Sequence, residues 1–455
     1  MITLYSVEEA RKTILRRDNG ASLPVPRTLR ENLARLFGEP ISPAAAVARL
    51  LSEVQSRGDA AIFEWTERID GIRQEALAVP EREIDDALSR IPPDLAEALQ
   101  LAASRIRQFH AMQPIPDWTS TEMGGTLGQR FTPISRAGVY VPGGTAPLPS
   151  SLLMCAIPAQ VAGVEDIVIA TPPGRLDGRI PDVILAAAAI AGTRRVYAVG
   201  GALAVGALAY GTDTIPRVDK IVGPGNLFTT LAKQQVYGAV GIDGIFGPTE
   251  TAVIADDSAN PAWIAADLMA QAEHDVLASA ILFTPSRSLA GAVQLEIGRQ
   301  IESLSRAEVI AQSLALRGGI VLVDDLKQAC QLASDYAAEH TCIAVTRSEE
   351  AACIARLPNA GGLFVGEYSF EVLGDYVAGP SHTMPTGGSA RFASPLNVLD
   401  FLKITSIVRL DRETSSRLSP AAARIAEAEA LTAHRSAALR RTTARAIGDF
   451  DNDGQ

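Results

Sequence analysis

Between about residue 130 and residue 365 the chain alternates short β-branched runs with helix-length segments, and this alternation narrows the possible folds more than any other feature. The first series reads GVYVPGG, SSLLMCAIPAQVAG, DIVIATPP, PDVILAAAAIAG, RRVYAVGG, ALAVGALAYG, DKIVGPGN and LFTTLAKQQVYG. A second series opens near residue 250 with TAVIADD, PAWIAADLMAQAEHD and ASAILFTP, and runs on through GGIVLVDD, KQACQLASDYAAEH, TCIAVT and GGLFVG. Strands and helices alternating at these lengths predict βαβ units and parallel sheets. Runs such as IVIA are apolar at every position, as a strand covered on both faces requires. The expected fold is α/β: two tandem, incomplete Rossmann-like parallel-sheet modules with a helical N-terminal segment and a helical C-terminal tail. The expected boundaries are 1–125 for the helical segment, packed on the second module, then 126–240 and 241–378 for the modules and 379–455 for the loop and tail.

At 455 residues the chain exceeds one ordinary core, and 47% apolar residues supply enough material for several. The net charge of −11 gives no favourable field toward nucleic acid or an anionic membrane, so neither is expected as a partner. Cys155, Cys330, Cys342 and Cys353 form no CxxC pair and sit in apolar surroundings, which suits small core residues in a reducing compartment. MITLYSVEEARKTILRR has no apolar core of a signal peptide, and no stretch reaches membrane-spanning length. A cytoplasmic protein is expected.

Two strand-to-turn segments, VPGGTAP and VGPGN, bring glycine to the ends of predicted strands, where open α/β sheets bind ligands. Neither matches GxGxxG or a Walker loop, so tight turns explain them as well as phosphate binding does. The histidines say more. Of five, His110 lies on a plain helical face and reads as a packing or surface residue. The others each stand beside an amide or a carboxylate: Gln271 with His274 at i, i+3, Glu339 with His340, Asp375 near His382, and Glu429 with His434. A helix presents i and i+3 on one face, so Gln271 and His274 can reach one point. Amide oxygen, imidazole and carboxylate together suit a borderline divalent cation such as Zn2+, and the lack of cysteine ligands points away from a structural zinc site. The pattern alone does not say which of these islands converge.

The ordered series SRAGVYVPGG, VDKIVGPGN, GPTETAVIAD, DLMAQAEHD, YAAEH, GDYVAGPSHTMPTGG and LTAHR resembles the histidinol dehydrogenase family over roughly residues 30–440. The resemblance implies oxidation of L-histidinol through the aldehyde to L-histidine with two NAD+, the last step of histidine biosynthesis. It implies one Zn2+ per subunit, held by Gln271, His274, Asp375 and His434, with His434 coming from the partner of an obligate homodimer. Thr249, His382 and Glu429 would touch the substrate, along with His340 and the metal ligands. Glu339 and His340 would be the acid–base pair. Tyr140 and Asn226 would contact NAD, which makes 126–240 the NAD-side module, 241–378 the module with metal and acid–base residues, and 379–455 the dimerisation tail. The family commonly has Gln after GGA, as a cofactor contact; here Leu203 stands there and cannot form amide hydrogen bonds. Two other readings remain: a relative that oxidises another primary alcohol or diol, and a non-catalytic metal-binding dimer. The retained Glu429 and His382 speak against the first, and the intact Glu339–His340 pair against the second.

Overall fold

The strand Glu250–Ala255 is buried at all six positions, and its sheet is built outward from it on both sides. The computed structural model describes residues 2–17, 26–143, 147–174 and 177–443. They fall into two units: 2–113 with 134–401, and 114–133 with the chain from 402 onward.

The first unit holds both α/β modules. In one, five parallel strands run in the spatial order Arg195–Ala198, Asp166–Thr171, Arg136–Tyr140, Lys220–Val222, Gly241–Ile242. In the other, the order is Leu4–Ser6, Gly319–Leu322, Ser279–Thr284, Glu250–Ala255, His340–Ala344, Gly362–Val365, again all parallel. Leaving out Leu4–Ser6, both sheets have the same winding: the first strand of each module is central, the next two step one way, and the last two step the other. The α/β reading with two tandem parallel-sheet modules therefore holds. In the first module the direction reverses between Arg136–Tyr140 and Lys220–Val222. The VGPGN turn and Val141–Gly143 follow those two strands at the C-terminal edge of the reversal, and the rest of VPGGTAP, residues 144–146, lies outside the described residues.

Three expectations about organisation need correction. The helices Pro43–Arg57 and Asp59–Asp70 pack on the first module, not the second: Val47, Leu51, Val54 and Trp65 share a core with Val168, Leu203, Val205 and Leu208. Gly206 lets them approach, because a Cβ there would lie 3.1 Å from Leu51 Cδ2. The start of the chain does join the second module, where Leu4–Ser6 adds a parallel edge strand and Ala10 and Ile14 enter the core. Residues 126–133 do not belong to the first module either. They form a strand paired antiparallel with Leu402–Arg409, from Leu402↔Pro133 to Arg409↔Thr126, and with Trp118–Ser120. This three-stranded sheet and the helices Arg412–Ala428 and Thr432–Thr443 make up the second unit. The loop 379–401 remains with the first unit, so the tail does not begin at 379. Among the described residues, no helix is long and apolar enough to cross a membrane.

Candidate active site

A βαβ crossover sends its helix back antiparallel to the strands, so each helix ends beside the place where strands begin. The helix Pro261–Ala272 ends this way, carrying Gln271 in its last turn with His274 just beyond it. The helix Leu326–Tyr336 ends likewise at Ala337, whose φ of 51° is in the left-handed region and turns the chain sharply. Glu339 follows and His340 opens the next strand. That strand lies beside Glu250–Ala255, whose entry carries Thr249. Side chains distant in sequence thus meet at the N-terminal edge of the second sheet. In the first module the candidate cofactor loops lie at the opposite, C-terminal edge.

Thr249 Oγ1 donates to Glu339 Oε2 at 2.5 Å, and Gln271 Nε2 donates to Thr249 Oγ1 at 2.9 Å. A hydroxyl has a single proton, and here it is given to the carboxylate. Thr249 can then only accept from Gln271, which fixes which end of the amide faces it. The other end, Gln271 Oε1, is buried and has no hydrogen-bond partner among the described residues. A buried amide oxygen left this way costs about 1–3 kcal/mol unless something electropositive reaches it.

His340 is 3% exposed and ringed by oxygen. Its Nδ1 lies 3.3 Å from the Glu250 carbonyl, 3.7 Å from Glu371 Oε1 and 3.9 Å from Glu339 Oε2. Its Nε2 lies 3.4 Å from Asp375 Oδ1, a charge contact without an aligned hydrogen bond. Burial disfavours the His340 imidazolium, but Glu371, Glu339 and Asp375 together outweigh it and raise the pKa to about 10. Burial also pushes the Glu339 carboxyl up to about 7, against the pull of His340 and Thr249. Glu371 is likewise pushed up by burial. Asp375 is lowered: burial opposes this, and contact with His340, His382 and His274 prevails. Desolvation lowers His274 and His382. His382 sits close against Asp375, its Nδ1 2.8 Å from the Asp375 carbonyl, and its Nε2 is 3.3 Å from Ser151 Oγ of the first module.

Thr249, Gln271, His274, Glu339, His340, Asp375 and His382 are thus gathered in one unit. Glu429 and His434 belong to the other unit, where both are exposed. Tyr140 is buried in the first module and its hydroxyl accepts from the Gly201 amide at 3.1 Å. Asn226 is exposed and caps the helix Leu227–Val236, its Oδ1 accepting from Phe228 N at 3.0 Å and Thr229 N at 3.2 Å. Leu203 is 4% exposed inside the core shared with the N-terminal helices, where an amide would be desolvated. His110 is a packed residue, its ring edge-on to Phe109 and its Nδ1 3.2 Å from Gln113 Oε1.

Glu371 escaped the sequence reading. It is 2% exposed, and its ligand atoms lie within 4.8 Å of those of His340 and Asp375, a second group able to hold a cation. The signal was present in FEVLGDY, whose carboxylates at i and i+4 share one face of the short helix Glu371–Tyr376.

The histidinol dehydrogenase family model matches residues 40–442. The chain is 49% identical to the histidinol dehydrogenase of Deinococcus radiodurans over 428 residues, 94% of this chain and 96% of that one. It is 48% identical to that of Aquifex aeolicus over 392 residues, 86% of this chain and 90% of that one. A crystal structure of histidinol dehydrogenase from Elizabethkingia anophelis superposes with a TM-score of 0.87 at 32% identity, covering 97% of this chain and 98% of that one. The chain belongs to the histidinol dehydrogenase family. It is thereby an NAD-dependent dehydrogenase of histidine biosynthesis, and the resemblance carried by its motifs extends through the fold.

Proposed function

We propose that this enzyme oxidises L-histidinol to L-histidine in two successive NAD+-dependent steps at a zinc-bearing site shared between the subunits of a cytoplasmic homodimer. The observation that carries the metal reading is the orphaned Gln271 Oε1, which the Thr249–Glu339 chain turns away from every other donor. Amide oxygen, the His274 imidazole and the Asp375 carboxylate form a nitrogen–oxygen donor set that suits a borderline divalent cation. The alternative group, His340–Glu371–Asp375, would take the base out of service, so Asp375 is assigned to the cation and His340 to proton transfer. His434 of a second chain completes the set in this reading, and Glu429 and His382 hold the substrate amine and imidazole. When bound, the cation would take substrate nitrogens as ligands and so hold the carbinol carbon in place.

The residues of the chain then divide the proton chemistry. In the first step His340 takes the hydroxyl proton while hydride leaves the carbinol carbon for NAD+, giving the aldehyde and NADH. In the second, Glu339 takes a proton from the water that adds to the aldehyde, the hydrate loses hydride to a second NAD+ to give the carboxylic acid and NADH, and the acid releases its remaining proton to solvent as the carboxylate. Thr249 holds Glu339 in place for this and orients Gln271 at the same time. Tyr140 and Asn226 flank the cofactor in the first module.

The test is a spectrophotometric assay with L-histidinol and NAD+, with and without chelator, alongside metal analysis. Two NADH per histidinol and one zinc per chain are expected. Zinc-loaded protein inert toward histidinol at alkaline pH would end the proposal. His340→Asn should cut turnover by about 10²-fold or more with zinc content retained. Loss of zinc in that variant would exchange the roles of the two groups.

A further inference from the structure

Lys233 and Asp243 form an ion pair whose side chains are 3% and 2% exposed, and neither belongs to the acid–base group described above. Replacing a buried pair with apolar groups is often neutral for stability, so stability alone gives little reason to keep one. Its hydrogen bonds supply a reason. Asp243 Oδ2 accepts from the Gly223 amide at 2.7 Å, while Lys233 Nζ donates to the Gly223 carbonyl at 3.0 Å. The pair therefore grips one residue from both sides. Gly223 has a φ of +114°, and a Cβ there would collide with the Tyr140 carbonyl, so no other residue fits between that strand end and this turn. Asn226 stands at the end of the same turn, and Tyr140 at the neighbouring strand. Asp243 Oδ1 also accepts from Gly244 N at 2.8 Å. The chain then passes Phe246, whose carbonyl accepts from Thr230 Oγ1 at 3.0 Å, and Gly247, whose amide donates to Thr386 Oγ1 at 2.6 Å, and reaches Thr249.

We propose that the buried Lys233–Asp243 pair is a positioning device for the dinucleotide: by clamping Gly223 it sets the turn Gly223–Asn226 at the spacing from Tyr140 that NAD requires. This rests on the reading of Tyr140 and Asn226 as cofactor contacts. The pair touches no reacting atom. Its loss should weaken cofactor binding and leave histidinol recognition in place.

The test measures NADH affinity by fluorescence titration, the separate KM values for NAD+ and histidinol, and Tm. Asp243→Asn and the double variant Lys233→Met/Asp243→Asn are compared; the double keeps an oxygen for the Gly223 amide and leaves no buried charge. Both should bind NADH about tenfold or more weakly, with the histidinol KM within about twofold of the parent. A folded double variant that binds NADH within about twofold of the parent, or loses histidinol affinity equally, overturns the proposal. Should neither fold, Lys233→Arg decides. It keeps the charge but cannot place one small ammonium between Asp243 and the Gly223 carbonyl, so weaker NADH binding at an unchanged Tm is expected and unchanged binding refutes the idea. Asn226→Asp tests the underlying reading, because it keeps the helix cap and adds a repelling charge. If that variant binds NADH normally, the loop assignment falls and the proposal with it. If it binds weakly while the pair variants bind normally, only the proposal falls.

Discussion

A single hydroxyl proton organises the proposed metal centre. Thr249 gives it to Glu339 and so dictates the orientation of Gln271. Thr249→Val would remove both bonds and free the amide to flip. Zinc affinity is expected to fall by about 10–100-fold, as when outer partners of metal ligands are lost, while Thr249→Ser should retain it. Equilibrium dialysis of the two variants checks this. The titration of the acid–base residues sets the pH dependence. His340 must be neutral to accept a proton, and its pKa is raised to about 10, so the first step should quicken as pH rises toward that value. Glu339 must be ionised, and its pKa is raised to about 7, so the second step gains through neutrality as well. Both act in the same direction. Turnover measured from pH 6 to 10 should climb without an acid-side maximum, and a flat profile would remove His340 as the base.

The elements that carry the site are helix ends returning to strand starts, and their close backbone packing leaves little tolerance. Gly361 shows this best: a Cβ there would lie 2.4 Å from the Glu339 carbonyl, which also accepts from Gly362 N at 2.9 Å. Gly361→Ala should push the Glu339–His340 segment out of register, costing about 1–3 kcal/mol and most of the turnover. Thermal melts and steady-state rates report the two effects separately. Much of this was legible beforehand, because apolar runs such as IVIA and the i, i+3 spacing of Gln271 and His274 are local patterns. The gathering of those islands was not, since it depends on which strands become neighbours, and only the family motifs supplied it. Glu371 was missed for a related reason: its role depends on His340, thirty-one positions back in the chain. The helices Pro43–Arg57 and Asp59–Asp70 pack on the first module and not on the expected second, because amphipathic stripes show that a face is covered and not by which sheet. Leu402–Arg409 is exposed along most of its length, so it lacked the buried period-two signal that reveals a strand.

At the scale of the whole molecule, Glu429 and His434 stand on a unit separate from the one that gathers the other site residues. If a second chain supplies them, two inactive variants should rescue each other. Mixing Glu339→Gln with His434→Asn subunits after dissociation would create one intact site per hybrid dimer, restoring about a quarter of parental activity at equal mixing. No recovery in a mixture proven by mass to contain hybrids would show that each chain builds its site alone. The beginning of the chain has its own part. Leu4–Ser6 lies along Gly319–Leu322 as the outermost strand of the second sheet, and Ile2 is buried. Trimming those first residues would bare a row of unsatisfied amides and carbonyls on an apolar sheet, an open invitation to cross-β stacking between molecules. Deletions that remove Leu4–Ser6 therefore carry an aggregation risk.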